Sequence, residues 1–343
     1  MVFLLPAALA VVMIGIHTPA PLVSKQDDSK KKLAITRLED VDQDFGVQGE
    51  YMGLISDTHG NLRHVGMQVA AHGDGQFEGL GYSGGMPGNG WDKQPISQWK
   101  GTRAGSETTL TGEQGTAAIR SGHLTLMDFD GNPLGTLLRV RRVSDSLGKS
   151  PPADAIVLFD GSDVAEFKAA TTTEDGLLIA GSTTNRNVRD FQLHLEFRTP
   201  YMPYARGQGR GNSGVYIQQR YEVQILDSFG TEPLFNGCAA LYRQQPPDTN
   251  MSFPPLTWQT YDIYFTAARF GMNGEKLLPA RVTVLHNGIT VHNGRELPTK
   301  TGAGKPEGAD DRPLHLQFHG NPVYFRNVWI RLDDPHSPKY ATP

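Results

Sequence analysis

In the second half of the chain, apolar residues recur at every second position in short runs. In FQLHLEFR (191–198), Phe191, Leu193, Leu195 and Phe197 fall on one face of an extended strand and Gln192, His194, Glu196 and Arg198 on the other. LHLQFHG (314–320) repeats the device, with Leu314, Leu316 and Phe318 on one side and His315, Gln317 and His319 on the other. VTVLHNGITVHNG (282–294) predicts a hairpin whose Asn287–Gly288 supplies the positive φ values of a tight turn. Long helical periodicity and repeats of solenoid length are absent. Strands of this kind spaced along 156–333 predict an antiparallel two-sheet sandwich.

The first half reads as a smaller antiparallel β domain over 45–150, where stretches such as HVGMQVAAHG, GQFEGLGYSGG and HLTLMDFDG alternate with glycine turns. Pro151–Pro152 cannot continue a helix or sit inside a central strand, so 151–155 is expected to be the link between domains. Residues 21–44 are charged and nearly free of aromatics, predicting a solvated linker with order beginning near Phe45. The apolar leader 1–20 is shorter than a membrane span and reads as a signal peptide cleaved after Ala20, which makes the protein periplasmic or secreted. It lacks a positive n-region, so a mis-assigned start and an uncleaved anchor stand as alternatives. Residues 334–343 form a C-terminal tail.

Composition narrows the function. The 343 residues suffice for two cored domains, and 39 Gly with 23 Pro suit an all-β chain rich in turns. Cys238 is the only cysteine, which excludes an intrachain disulfide and a cysteine metal cluster. A formal charge of −4 gives no electrostatic reason for a nucleic-acid partner and points to an uncharged ligand.

Several motifs carry little. SDTHGN (56–61) has the opening Asp-x-His of a binuclear metallophosphoesterase without the rest of that signature, and MDFDGNP (127–133) lacks the further acidic ligands of a calcium loop, so both read as turns. His315 and His319 would lie ~13 Å apart along one strand, too far to share a metal unaided, though His194 or Glu196 could join one of them from a neighbouring strand. The polar strand faces taken together offer the donors, acceptors and imidazoles that a hydroxyl-rich ligand requires, as on the concave sheet of a lectin-type sandwich. YEVQILD (221–227) is similar in spacing to the Glu-x-Asp-x-x-Glu signature of laminarinase-type glucanases. Gln224 replaces one carboxylate, however, and Asp227 faces away from Glu222 unless a bulge intervenes. Retaining chemistry needs carboxyls ~5–5.5 Å apart, whereas five extended residues span ~16 Å.

In order, IVLFDGSDVAEFK, DGLLIAG, DFQLHLEFRTP, GNSGVYIQ, YEVQILDSFG, WQTYDIYF, VTVLHNGITVHN and LHLQFHGNPVYFRNVWIRL resemble the bacterial 3-keto-disaccharide hydrolase family over the whole second domain. The resemblance implies a concanavalin-like jelly roll and an exported enzyme. Its substrate would be an oligosaccharide or glycoside already oxidised at C3 by a separate upstream oxidoreductase. Two positions depart from the expected pattern: Phe167 replaces a tryptophan, and Phe318 replaces an acidic residue before the motif histidine. The 3-ketone acidifies the C2 proton, so the glycosidic oxygen can leave by elimination and water can add back, with no nicotinamide. The roles then fall as follows. Glu222 or His319 is the base, with Asp227 the alternative. Glu196, Arg210, Asn212, Gln224 and Gln317 bind substrate, and Tyr242 is an acid or stacking group. No cofactor is required, although a divalent cation held by Glu222 or Asp227 with His319 could replace the donors at the enolate. A non-catalytic lectin-like protein and a laminarinase-type glucanase are the rival readings.

Overall fold

The computed structural model describes residues 29–57 and 60–332. The leader, the tail and the Thr58–His59 step of SDTHGN lie outside the described residues. Nearly every element is an antiparallel strand, and among the described residues no helix is long and apolar enough to cross a membrane.

Eight strands, the first Gly49–Ser56 and the last Pro133–Val140, pair each with its successor. The last pairs back to the first from Glu50↔Val140 to Ile55↔Gly135, closing a barrel that leaves no edge unpaired. The Asp128 carboxylate accepts from the backbone N–H groups of Asp130 and Asn132, so MDFDGNP is a turn within this barrel. Alternation sends Tyr51, Met67, Val69, Phe77, Leu110, Leu124 and Leu137 inward. Tyr201 and Leu256, which come from the second half of the chain, complete the same core.

The described part of the charged segment is largely solvent-exposed, yet it is tied to both units. Ile35 pairs with Tyr201 through backbone hydrogen bonds of 2.9 and 2.8 Å. Asp42 caps the short helix Gln43–Val47 by accepting from Phe45 N and also accepts from the Tyr201 hydroxyl. Asp44 is buried and accepts from Gly75 N (2.8 Å) and Arg103 Nε (2.7 Å). These anchors are hidden in the sequence because their partners are distant in the chain.

The second unit is a sandwich. One sheet has five strands in the spatial order Phe167–Lys168, Thr183–Val188, Arg312–Leu316, Ser213–Ile217, Tyr221–Ile225. The other has seven, with Phe191–Arg198 between Tyr324–Leu332 and Gln259–Thr266. Leu193, Leu195 and Phe197 from the second sheet meet Val215, Val223 and Leu316 from the first in one core. The Asn287–Gly288 turn forms with both φ values positive, at 51° and 82°. The alternation of LHLQFHG stops early. Its strand ends at Leu316, and Phe318 is 56% exposed, not in the core.

Barrel and sandwich are locked by buried charge. Arg210 Nε donates to Asp227 Oδ2 at 2.6 Å, both side chains are almost fully buried, and Arg210 Nη1 reaches the carbonyl of Ala71 in the barrel at 3.4 Å. Arg142, just past the last barrel strand, pairs with Glu50 and lies over the Phe253 ring of the sandwich. Removing one member of such a pair strands the other charge in the interior. Asp227→Ala is therefore expected to cost about 3–5 kcal/mol, and Arg210→Met with Asp227→Leu clearly less, as read by urea unfolding. Equal losses in the single and double variants would contradict this account.

Candidate active site

Functional side chains gather on the outer face of the five-stranded sheet. In Tyr221–Ile225 the alternation that buries Tyr221, Val223 and Ile225 in the core turns Glu222 and Gln224 outward. In the neighbouring strand Val215 and Ile217 point inward and Tyr216 outward. Register makes Tyr216 the direct neighbour of Glu222 on one side and of His315 on the other.

Loops then roof this face, so Glu222 is only 3% exposed. Its backbone N–H donates to Thr301 Oγ1 (2.7 Å) and its carbonyl accepts from Tyr242 N (3.1 Å), fixing two of those loops to the strand. Two glycines make the fit. A Cβ on Gly214 would stand 2.5 Å from Glu222 Oε1, and one on Gly302, whose φ is +29°, would stand 2.8 Å from the Tyr242 ring.

The Glu222 carboxyl accepts from the Tyr216 hydroxyl at 2.7 Å through Oε2. With the Gln224 amide turned so that its nitrogen meets acceptors, the orientation assigned from the hydrogen-bond network, that nitrogen donates to Glu222 Oε1 at 2.9 Å and to the Ser213 carbonyl at 2.7 Å. Burial pushes the Glu222 carboxyl up to about 7, against the smaller opposing effect of the Tyr216 hydrogen bond. Burial, and then the adjacent Glu222, raises the Tyr216 phenol far above its ordinary value, so it remains a neutral donor. The His315 imidazole is lowered by burial and hydrogen-bonds through Nδ1 with Thr183 Oγ1 at 2.9 Å.

Two adjoining hollows result. One, of about 110 Å³, is lined by Gln208, Asn212, Glu222, Gln224, Tyr242 and His319. The other, of about 260 Å³, is lined by Thr183, Gln219, Lys305 and His315. Tyr216, Ala303 and Gln317 border both. The structure thus brings together Asn212, Glu222, Gln224, Tyr242, Gln317 and His319 among the residues expected from sequence.

Three expected residues lie elsewhere. Asp227 follows the strand end and is held by Arg210, so neither faces the groove and Asp227 is removed as base or metal ligand. Glu196 lies on the other sheet. It accepts from Gly148 N, Arg326 Nε and Asn327 Nδ2 beneath the interdomain segment, next to a buried His194 that bonds Asp262 at 2.8 Å. Burial alone would raise Glu196, but His194, Asn327, Gly148 and Arg326 together hold it at about 2. Neither His194 nor Glu196 can therefore join His315 or His319. With Asp227 outside the groove, the expected cation pair is left to Glu222 and His319, which line the same hollow, and among the described residues no three His, Cys, Asp or Glu side chains cluster for a metal.

Sequence reasoning missed Gln208, Ala303 and Lys305, all delivered by loops. The short 3-10 segment Gly207–Gly209 presents Gln208 to the cavity. Alternation with Val215 and Ile217 turns Tyr216 outward, but only strand register makes it the partner of Glu222.

The family described as the 3-keto-alpha-glucoside-1,2-lyase-like domain matches residues 154–331. Two solved structures from Parabacteroides distasonis, each described as a "putative glycosyl hydrolase", are similar to this chain. The first is 32% identical over 54% of this chain and 86% of its own, with a TM-score of 0.49. The second is 21% identical over 53% and 94%, with a TM-score of 0.40. Among curated proteins no match is found.

The raised Glu222 value has a consequence for stability. The folded state holds this proton up to about pH 7, whereas an ordinary carboxyl releases it near 4.5. Its contribution is therefore fully present below pH 4.5 and is lost as pH rises to 7. Glu222→Gln should gain thermal stability relative to the native chain across that window and keep a constant advantage above it. Parallel melting curves from pH 4.5 to 8 would refute the assignment.

Proposed function

The chain belongs to the family of the 3-keto-alpha-glucoside-1,2-lyase-like domain, and on that premise we propose that it cleaves the glycosidic bond of a 3-keto-glycoside, specifically a 3-keto-disaccharide, by elimination followed by hydration. The observation that carries this reading is Glu222, a carboxyl buried at the groove floor and poised near pH 7. A general base works best with its pKa near the working pH, because it is then both available and strong enough to take a proton.

The chemistry needs such a group. Glu222 takes the C2 proton, the electron pair forms an enolate with the C3 ketone, and the C1–O bond breaks to give an enone and the leaving alcohol. Water then adds at C1 and C2 is reprotonated, for net hydrolysis. Tyr216 and the Gln224 amide hold the carboxylate in place. The Gln317 amide is the donor for the ketone, Asn212 gives its amide N–H groups to Gln208 and offers Oδ1 as an acceptor for a sugar hydroxyl, and the exposed His319 is the group that protonates the departing oxygen. Two hollows that share a wall support a substrate of two rings, with the leaving sugar beside His315 and Lys305. Glu222 is the one carboxylate lining either hollow, which argues against a retaining glucanase and its carboxylate pair. The ketone has to be installed by a separate oxidoreductase, and the apolar leader supports a site of action outside the cytoplasm.

Incubation with a 3-keto-disaccharide should release monosaccharides, and turnover in deuterated water should place deuterium at C2 of the keto product. Glu222→Gln should lose about 10²–10⁴-fold in rate, and the rising limb of the native kcat/KM profile should follow the ionisation of Glu222 near pH 7. Affinity without product would identify a lectin-like module. Retention of the C2 hydrogen would indicate direct displacement at C1.

A further inference from the structure

We propose that the open end of the barrel is a binding site for a small neutral molecule with an apolar ring body and hydroxyl groups along one edge. The interior of an eight-stranded barrel is wide enough either to be filled by side chains or to hold one small ligand. This barrel does both, at opposite ends. Towards the sandwich, Tyr51, Val69, Phe77 and Leu124 are closed over by Tyr201 and Leu256. At the other end a cavity of about 380 Å³ remains, within the size range of small-molecule pockets.

The hollow arises from the residues chosen for inward positions. Gly81, Ser83 and Ser97 stand where larger side chains would fill the lumen. A Cβ on Gly81 would meet Ser97 Oγ at 2.3 Å and Trp99 Nε1 at 3.0 Å, and one on Gly112 would meet the Trp99 ring at 2.6 Å. Trp99 is thereby laid against the wall, its Nε1 donating to Ser97 Oγ at 2.9 Å. Val65, Met67, Leu126 and Leu137 line the rest of the interior. The rim is polar without net charge. Arg63 is paired with Asp57 at 2.8 Å, and the Gln94 and Gln114 amides stand beside it. Apolar walls with an indole face select a ring, and amide and hydroxyl groups at the mouth select hydroxyls over ions. This cavity shares no lining residue with the sandwich groove, so the inference stands independently of the proposed chemistry.

Titrating 2-naphthol into the full chain by calorimetry, with 2-naphthalenesulfonate as the charged counterpart, tests the site. One naphthol should bind per chain, and the sulfonate at least tenfold more weakly. Val65→Trp, which fills the lumen, should weaken naphthol binding at least tenfold. Gln114→Trp, in an exposed turn that accepts a larger side chain, should do the same by plugging the mouth, so the test survives if Val65→Trp fails to fold. Trp99→Phe should weaken naphthol binding and lose the naphthol-induced change in tryptophan fluorescence. Glu222→Gln should bind naphthol as the native chain does. Absence of naphthol binding, equal binding of the sulfonate, or undiminished binding by Gln114→Trp would each overturn the proposal.

Discussion

The sandwich core claims every second residue of the strands that build it, and the candidate site is made from the residues left over. Val215, Ile217, Tyr221 and Val223 must face inward to close the core, which forces Tyr216 and Glu222 outward on adjacent strands at paired positions. Hydrogen-bond register then does what no loop could do as accurately: it sets a phenol beside a carboxyl at 2.7 Å. The roofing loops from 207–212, 241–242 and 301–305 add burial, and burial gives that carboxyl its basicity.

Two glutamates of the same domain show how environment divides structural from chemical roles. Glu196 and Glu222 are both hidden from solvent, at 0% and 3% exposure. Glu196 is met by a guanidinium, an imidazole, an amide and a backbone N–H, which stabilise its charge so far that it stays ionised throughout the ordinary pH range. Glu222 is met by neutral donors only, with no cation against it, so desolvation prevails. The number of charged partners, more than depth of burial, separates the two.

Much of this was legible beforehand in local pattern. The Asn287–Gly288 turn, the alternation of 191–198 and the outward placement of Glu222 with Gln224 follow from short-range geometry. What failed was information that crosses sheets. Period two assigns a residue to a face of its strand but cannot say which sheet the strand joins, and so Glu196, with the right parity, lies on the wrong layer. Asp227 was misjudged because its partner, Arg210, is 17 residues away and the pair answers to a barrel carbonyl far earlier in the chain. Barrel closure was equally invisible, since pairing Glu50 with Val140 is a contact between the first and last of eight strands.

The sharing of Tyr201 and Leu256 with the barrel core also bears on the order of assembly. Both residues leave the ribosome well after Val140 closes the last barrel strand, by about 60 and 115 positions. At ordinary rates of synthesis that is a delay on the order of ten seconds. For that time the eight strands can pair, but the end towards the sandwich lacks its cover and exposes Val69, Phe77 and Leu124. A barrel formed first therefore presents an apolar opening until the sandwich segments arrive, and completion of the first unit waits on the second.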